Sequence, residues 1–255
     1  MSIRLSPVFM RRFFTFCACA GLATAAARAQ ASGPAVYQQI DAAVQHRVRH
    51  VAAFTDVERY DVYRGNDETN SVAEITVKAT YRRGVGTSYQ ILSQSGSDLV
   101  RKFGLIPLLK HEDQLSQPGS MEHTWFTSAN YEMKLKSDQV ESLNGRPCYE
   151  LAITPRHRAP NAIVGTLWVD ARDFSIVKVE GVASRRPSML AGNTRMMREY
   201  RDVNGFPMAT RARAVSNGLM IGRTVVTIEY SDYHLVLNPA TPAAAGTAMA
   251  AAGSE

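Results

Sequence analysis

The chain has 255 residues, 45% of them hydrophobic and 20% charged, with a formal charge of +6 at neutral pH. The charge does not point to nucleic acid: four of the 29 Lys and Arg (Arg4, Arg11, Arg12, Arg28) and none of the 23 Asp and Glu fall in an N-terminal export signal, which leaves 25 against 23, a formal +2. Two of the three cysteines, Cys17 and Cys19, fall there as well, so Cys148 has no partner for an intramolecular disulfide and the mature chain must rely on a hydrophobic core.

The export signal is read from its three parts. Arg4, Arg11 and Arg12 form a positive start, "FFTFCACAGLATAAA" (13–27) an apolar run, and Ala27 and Ala29 flank Arg28 as a small-x-small cleavage site before Gln30. The run is short and alanine-rich for a bilayer span, and neither early cysteine sits in a good lipobox. Residues 1–29 are therefore expected to be a secretory signal peptide and the mature protein periplasmic, with retention as an anchor the open alternative. Cys148, in the strand-like "RPCYELAI", reads as a small buried hydrophobe.

Next comes "GPAVYQQIDAAVQHRVRHVAAF", with Val36, Ile40, Val44, Val48 and Val51 at helical spacing and Pro34 suited to a first turn; one amphipathic helix is expected. From Thr55 the period changes to two. "VERYDVYRG", "SVAEITVKATYRR" and "GTSYQILSQSG" read as strands parted by "GNDETN" and "RGVG". After a lapse over 97–130 the pattern resumes in "YEMKLKSDQVES", "RPCYELAITP", "AIVGTLWVD", "FSIVKVEGVAS", "NTRMMREYRDV", "FPMATRARAVSN" and "MIGRTVVTIEYSDYHLV". Asn144-Gly145 and Asn204-Gly205 are strong hairpin turns. About ten strands joined by tight turns predict an antiparallel meander that curls or closes. The tail "NPATPAAAGTAMAAAGSE" (238–255) has too little bulk to offset its ordering entropy and is expected to be disordered.

Catalytic signatures are missing from this pattern. No G-x-S-x-G elbow occurs, and Gly84-Val85-Gly86 precedes a strand rather than a helix, so it reads as a hairpin turn. His46 and His50 have a metal-gripping i, i+4 spacing, but "HRVRH" has no glutamate between them and reads as a solvated helix face. The loops "PRHRAP" (155–160) and "ASRRPS" (183–188) are basic and fall between strands, where they can share one rim of the sheet. No catalytic residue, metal or cofactor is expected.

The lapse itself is informative. "SDLVRKFGLIPLLKHE" (97–112) carries Leu99, Val100, Phe103, Leu105, Ile106, Leu108 and Leu109. Burying each is worth roughly 1.5–3 kcal/mol, so seven left in water would forgo on the order of 10 kcal/mol, as much as a domain's stability. The segment is expected to be covered. Gly104 and Pro107 are expected to split it into two short helices, with Ser97 or Asp98 capping the first and Pro107 opening the second. Two jointed helices make a lid.

The strand pair in "SLNGRPCYELAITP", the hairpin "GTLWVDARDFSIVKVEG" with Trp168-Val169-Asp170, and the closing "REYRDVNGFPMATRARA" and "VTIEYSDYHLV" together resemble the LolA/LolB-like family of periplasmic lipoprotein carriers. The layout is also similar to the N-terminal domain of the RseB/MucB envelope-stress regulators. The resemblance covers most of 34–237 and implies a mainly β fold with α, an unclosed antiparallel β-barrel of about 10–11 strands with an N-terminal amphipathic helix and short lid helices, over residues 30–237. It implies an apolar cavity for acyl chains, with Arg59 or Arg64 as candidates for the carriers' lid-latching arginine. Leu99, Phe103, Leu105, Ile106, Leu108, Leu109, Trp125 and Phe126 would form the lid, and alternation puts Tyr149, Leu151, Ile153, Ile163, Leu167 and Val169 on the cavity side unless the register is inverted by one. The expected partners are a lipid or lipidated protein and an envelope or outer-membrane acceptor protein, with the carrier itself a monomer. An interaction or sensor protein on the same scaffold is the alternative, and an enzyme with an unrecognised site a third.

Overall fold

The computed structural model describes residues 33–186, 192–218 and 222–238. The signal at 1–29 and nearly all of the tail at 238–255 lie outside them. Helix α1 (Gly33–His50) leads directly into β1 (Val51–Arg64), followed by β2 (Ala73–Arg82) and β3 (Gly86–Gly96). The lapse in strand pattern is helical: α2 (Asp98–Val100), a π-helical turn (Arg101–Leu105), α3 (Ile106–Ser116) and a 3-10 turn (Met121–Thr124). Then come β4 (Tyr131–Leu135), β5 (Glu141–Leu143), β6 (Arg146–Pro155), β7 (Ile163–Asp170), β8 (Ile176–Ala183), β9 (Thr194–Val203), β10 (Phe206–Gly218) and β11 (Gly222–Leu237).

The eleven strands form one antiparallel sheet in the order β3-β2-β1-β11-β10-β9-β8-β7-β6-β4, with β5 paired beside β6. The sheet is not closed, since β3 and β4 end it and do not pair with each other. The helical segment between them is the stretch of chain that must cross from one edge to the other. The first and last strands meet in mid-sheet: β1 pairs with β11 along most of its length, from Val51↔Leu237 to Arg64↔Thr224.

Residues paired across neighbouring strands share a face, so register identifies what the helices cover. One unbroken row runs Ile75–Tyr60–Ile228–Ala212–Arg198–Val179–Leu167–Leu151–Leu135 across nine strands. Its two ends belong to two cores on this inner face. Val36 and Ile40 of α1 pack on Leu151, Leu167 and Val179. Leu105 and Leu109 pack on Tyr60, Ile75, Ala212 and Ile228. Beside this row the paired Gly165 and Gly181 bring two strands so close that a Cβ on Gly165 would stand 2.1 Å from the Glu180 carbonyl oxygen. Such a pair marks a bend in a curved sheet.

Sequence and structure part company at element ends. Val51–Phe54 extend β1 rather than α1, because Phe54 pairs with Tyr81 on one side and Leu235 on the other. Two ladders outweigh one more helical turn. "YEMKLKSDQVES" is two strands, β4 and the three-residue β5, both hydrogen-bonded to β6. The two Asn-Gly turns are as expected, with φ of 53° and 81° at Asn144-Gly145 and 53° and 86° at Asn204-Gly205.

Trp168-Val169-Asp170 owes its form to Asp170, whose side chain is 1% exposed. It accepts from the Arg172 backbone N–H at 2.7 Å and the Arg172 guanidinium at 3.2 Å, and it pairs with Arg146 Nε. Burial opposes its ionisation, but the hydrogen bonds from Arg172 and Arg146 prevail and hold its pKa at about 2. The carboxylate therefore fastens the β7–β8 turn to the start of β6. Asp170→Ala removes the carboxylate that gathers Arg146 and Arg172, both of which water can reach, and chemical denaturation should show a loss of about 1.5–3 kcal/mol.

Candidate functional site

Candidate site geometry follows from how the two helical covers are held. α1 is anchored by polar bonds as well as by its valine and isoleucine. Asp41 accepts from the Ser128 backbone N–H at 2.8 Å, and the Tyr37 hydroxyl accepts from the Leu135 N–H at 3.1 Å. The α2–α3 cover is tied at its two ends. Its start is fixed by the Ser97 N–H on the Val72 carbonyl at 2.8 Å, and its end by the Thr87 N–H on Ser116 Oγ at 2.7 Å. Between these ties, Leu105 and Leu109 are its deeply buried side chains, 1% and 6% exposed.

This cover differs from the expected pair of jointed helices. Gly104 and Pro107 do not part it: Val100, Arg101, Leu105 and Ile106 all have right-handed helical backbone. The Ile106 N–H reaches back five residues to the Arg101 carbonyl. Pro107 stands in the first turn of α3, as expected, where its missing N–H costs least, and the widened π turn before it carries the chain through Gly104. Ser97 does cap the start, accepting from the Val100 N–H at 3.4 Å.

Nor are all seven apolar side chains covered. Leu99 and Phe103 are 67% and 78% exposed, on the side away from Leu105 and Leu109. Val100, Ile106 and Leu108 are half-buried against the β1–β2 core. Ile91 and Leu92 of the edge strand β3 are exposed as well. The segment is thus amphipathic in reverse on its outer side, with apolar groups facing solvent beside an open sheet edge.

Tyr149, Leu151, Ile153, Ile163, Leu167 and Val169 all lie on the inner face, in the core under α1. Leu151, Leu167 and Val169 are fully enclosed there. Phe126 joins the same core and packs on Tyr131 with ring centroids 5.2 Å apart, while Trp125 is half-buried in the loop before it. The expected set is therefore divided between the two covers, with the second half under α1 rather than under the lid. Two cavities stand out elsewhere. One of about 440 Å³ is lined by Val182, Asn193, Arg195, Arg213, Arg223 and neighbours, and one of about 20 Å³ lies near His157.

Arg59 faces away from the lid. Its guanidinium binds Asp61 at 3.2 Å and Glu74 at 3.0 Å, and Arg64 is exposed at the end of β1. Two other arginines lie on the covered side: Arg47 of α1, whose Nη2 donates to the Met208 sulfur at 3.6 Å, and Arg198 of β9, in the inner-face row. Arg198 is held above its ordinary pKa by Tyr230 first, against burial, and then by Tyr200 and by Glu112 of α3. Sequence reading missed both, although Arg198 breaks the apolar alternation of "MMREY" and Arg47 interrupts the valine stripe of α1.

Two carboxylates lie on the same face. Asp56 and Glu58 are 1% and 6% exposed, on the inner face of β1 beside Tyr60. Burial pushes Asp56 up to about 7, opposed by the nearby Tyr233 hydroxyl. Burial pushes Glu58 up to about 8; the Tyr60 hydroxyl, hydrogen-bonded to its carboxylate, and Arg198 oppose this, while Asp56 and Glu112 add to it. Acids on a face that should be apolar are the least expected feature of the strand pattern. "TDVERY" hints at them, since Asp56 and Glu58 alternate in phase with Tyr60 and Val62.

The other sequence candidates find bland roles. His46 and His50 lie tilted against each other at 4.1 Å, with His46 stacked on Phe206 at 5.6 Å, and no group of three metal-binding side chains occurs among the described residues. Cys148 is fully buried, and burial pushes its thiol up. The two basic loops do meet: Ser184 Oγ bonds the Ala159 backbone at 3.0 Å, which brings Arg156, Arg158, Arg185 and Arg186 to one rim. No helix among the described residues is long and apolar enough to cross a membrane.

The molecule is thus an open, single-sheet antiparallel half-barrel with two helical covers on one face. No family model matches the chain, and no curated protein matches it. Among solved structures it is similar to a LolA superfamily protein from Nitrosomonas europaea, with 14% identity, TM-score 0.42, and coverage of 82% of this chain and 96% of that one. It is also similar to a DUF1329 family protein from Desulfovibrio piger, with 13% identity, TM-score 0.40, and coverage of 78% and 92%. A third is a domain from Vibrio parahaemolyticus described as an outer membrane lipoprotein-sorting protein, with 13% identity, TM-score 0.43, and coverage of 78% and 93%. The family that the sequence resembles thus reappears among similar structures. Likenesses at these scores decide nothing about function, which rests on the chain's own residues.

Acidity of the inner face has a consequence for stability. From about pH 4 the folded chain holds protons that the unfolded chain, with ordinary carboxyl groups, has lost, up to about pH 7 on Asp56 and about pH 8 on Glu58. Stability is full below the ordinary carboxyl range and falls as pH rises towards 8. Thermal melts should show this decline, and Glu58→Gln should flatten it, gaining roughly 5 °C at pH 8.5 and nothing at pH 4.

Proposed function

We propose that the protein is a non-enzymatic periplasmic carrier or binding protein for a lipid, an acyl chain or a lipidated protein. The observation that carries this reading is the construction of the α2–α3 cover. It is tied at its ends by one hydrogen bond each and seated on the inner face by the buried Leu105 and Leu109, and on this reading it would lift when cargo binds. Lifting it would uncover the apolar floor of Tyr60, Val62, Ile75, Val77 and Ile228, an acyl-sized surface with no backbone groups to satisfy. Cargo chains would replace Leu105 and Leu109 on that floor, and Trp125 and Phe126 would border the opening. Leu99 and Phe103, already exposed on the outside of the cover, would then meet the acceptor protein or membrane during handover. The core under α1, with Tyr149, Leu151, Ile153, Ile163, Leu167 and Val169, would extend the floor only if α1 also shifted. The carrier acts as a monomer and needs no metal or cofactor.

A second reading is favoured by the free edge of β3. A sensor or interaction protein could add a partner strand there, next to exposed Ile91 and Leu92.

Native mass spectrometry of the mature protein separates the two. A carrier should co-purify with lipid, and Leu105→Asp with Leu109→Asp should lose it while circular dichroism still reports the sheet. Leu99→Ser with Phe103→Ser should keep the lipid and slow its transfer to acceptor vesicles by at least about tenfold, since losing even about 1.4 kcal/mol of apolar contact costs a factor of ten. An empty protein that captures an envelope partner would favour the sensor. Turnover of an ester library would overturn both.

A further inference from the structure

The larger cavity, of about 440 Å³, lies on the face of the sheet opposite the two helical covers. Register fixes its side. Ala212, Arg198 and Val179 belong to the covered row, so alternation turns Arg213, Arg195 and Val182 the other way. Arg195 pairs with Val182 on one flank and Val215 on the other, and Asn217 pairs with Arg223. Arginines from β9, β10 and β11 therefore converge on one hollow. Val182 and Val215 give it an apolar floor, and Asn193 and Asn217 bring amide groups to it.

Arginines that serve only solubility point apart into water, whereas two of these are held side by side. Glu68, in the loop between β1 and β2, accepts at Oε1 from Arg213 Nη2 at 2.7 Å and from Arg223 Nη2 at 2.8 Å. The Gly65 carbonyl accepts from Arg223 Nη1 at 2.6 Å. The hydrogen bonds from Arg223 and Arg213 hold the Glu68 carboxyl below its ordinary range, so it counts as one negative charge. Arg195 reaches further into solvent, with its side chain 69% exposed; the carboxylate beside it, Glu180 at 4.0 Å, lies closer to Lys178 Nζ, at 2.8 Å. The hollow thus holds three arginines against the one charge of Glu68, and each guanidinium keeps N–H groups that these bonds do not use.

We infer that this hollow binds a sugar phosphate: Arg195, Arg213 and Arg223 hold the oxygens of the phosphate monoester, Asn193 and Asn217 meet its hydroxyl groups, and Val182 and Val215 carry the apolar side of the ring. The site goes beyond the carrier reading and does not rest on it. A phosphate monoester carries about two negative charges at neutral pH, which matches the excess of arginine over glutamate. Its oxygens also suit fork-shaped donors arriving from several strands, whereas a carboxylate brings a single charge and fewer acceptors. The volume is in the range that encloses small organic ligands, more than a bare ion needs. The ester can belong to a free sugar phosphate or to a lipid head group. Arg186 Nε donates to Asn193 Oδ1 at 3.3 Å, which joins the hollow to the basic rim of Arg156, Arg158 and Arg185, so a membrane with such head groups would meet rim and hollow together.

The test is calorimetry on the mature protein with glucose 1-phosphate, gluconate and glucose as probes. Glucose 1-phosphate should bind at least about tenfold tighter than gluconate, which has the hydroxyl groups but one charge, and glucose should give no heat. Arg195→Gln and Arg213→Gln should each weaken the phosphate about tenfold, the factor expected of a hydrogen bond to a charged group. Lys110→Gln, on the α2–α3 cover, should change nothing. Arg195 is exposed enough for its variant to fold, so the test stands even where Arg213→Gln, which strips Glu68 of a partner, does not. Sedimentation with phosphatidylcholine vesicles containing phosphatidic acid, whose head group is a phosphate monoester, then separates the sources. Retention that glucose 1-phosphate displaces assigns the ester to a lipid head group; otherwise the ligand is the free sugar phosphate. Failure to bind glucose 1-phosphate, equal binding of gluconate, or undiminished binding by Arg195→Gln would overturn the site and leave the carrier reading intact.

Discussion

The structure depends on one cross-strand row, from Ile75 through Tyr60, Ile228, Ala212, Arg198, Val179 and Leu167 to Leu151 and Leu135. An open sheet of eleven strands exposes two faces and two edges, and one face must be covered for the chain to fold. The row commits a single face to that purpose from end to end. α1 and the α2–α3 segment each cover part of it, and neither buries enough apolar surface alone to stand away from the sheet. Fold and site are therefore one problem: the surface that needs covering is the surface that cargo would occupy.

The two covers are not equivalent. α1 combines buried apolar residues with the Asp41–Ser128 and Tyr37–Leu135 bonds, which resist lifting. The α2–α3 cover is fixed at Ser97 and Ser116, with Leu105 and Leu109 inward and Glu112 near the buried acids. Apolar contact is non-directional and can be exchanged for an acyl chain at little cost, whereas a buried hydrogen bond must be replaced by another. On the proposed reading the lid is the 97–116 cover and the wall is α1. On the covered side also lie Asp56, Glu58, Arg198 and Arg47, which a purely apolar pocket would not need.

Much of this was legible in the sequence. Period-two alternation gave nearly every strand, and the Asn-Gly turns set two hairpins. The same alternation put Leu151, Ile153, Leu167 and Val169 on one face, and the register bears this out. The lapse at 97–130 was correctly an interruption, but its internal form was misread. Gly104 falls inside a π turn that reaches five residues back and joins the two pieces, while Pro107 opens α3 as expected. The exposure of Leu99 and Phe103 was also unreadable, since a count of apolar side chains does not say how many one side of a helix can bury. Arg59 attracted attention as an arginine on the first strand, yet one step of the pleat puts it opposite the lid.

By itself the sequence determined the local terms: which stretches alternate, where the chain turns, and that an apolar segment interrupts the strands. These depend on neighbours within a few residues and on the two-residue pleat. Only the tertiary structure decided that β1 pairs with β11 in mid-sheet, that the two covers share a face, and that the acids Asp56 and Glu58 are buried on that face. Those contacts join residues far apart in the chain, and their existence depends on how strands register and how far the sheet bends, which no local pattern records.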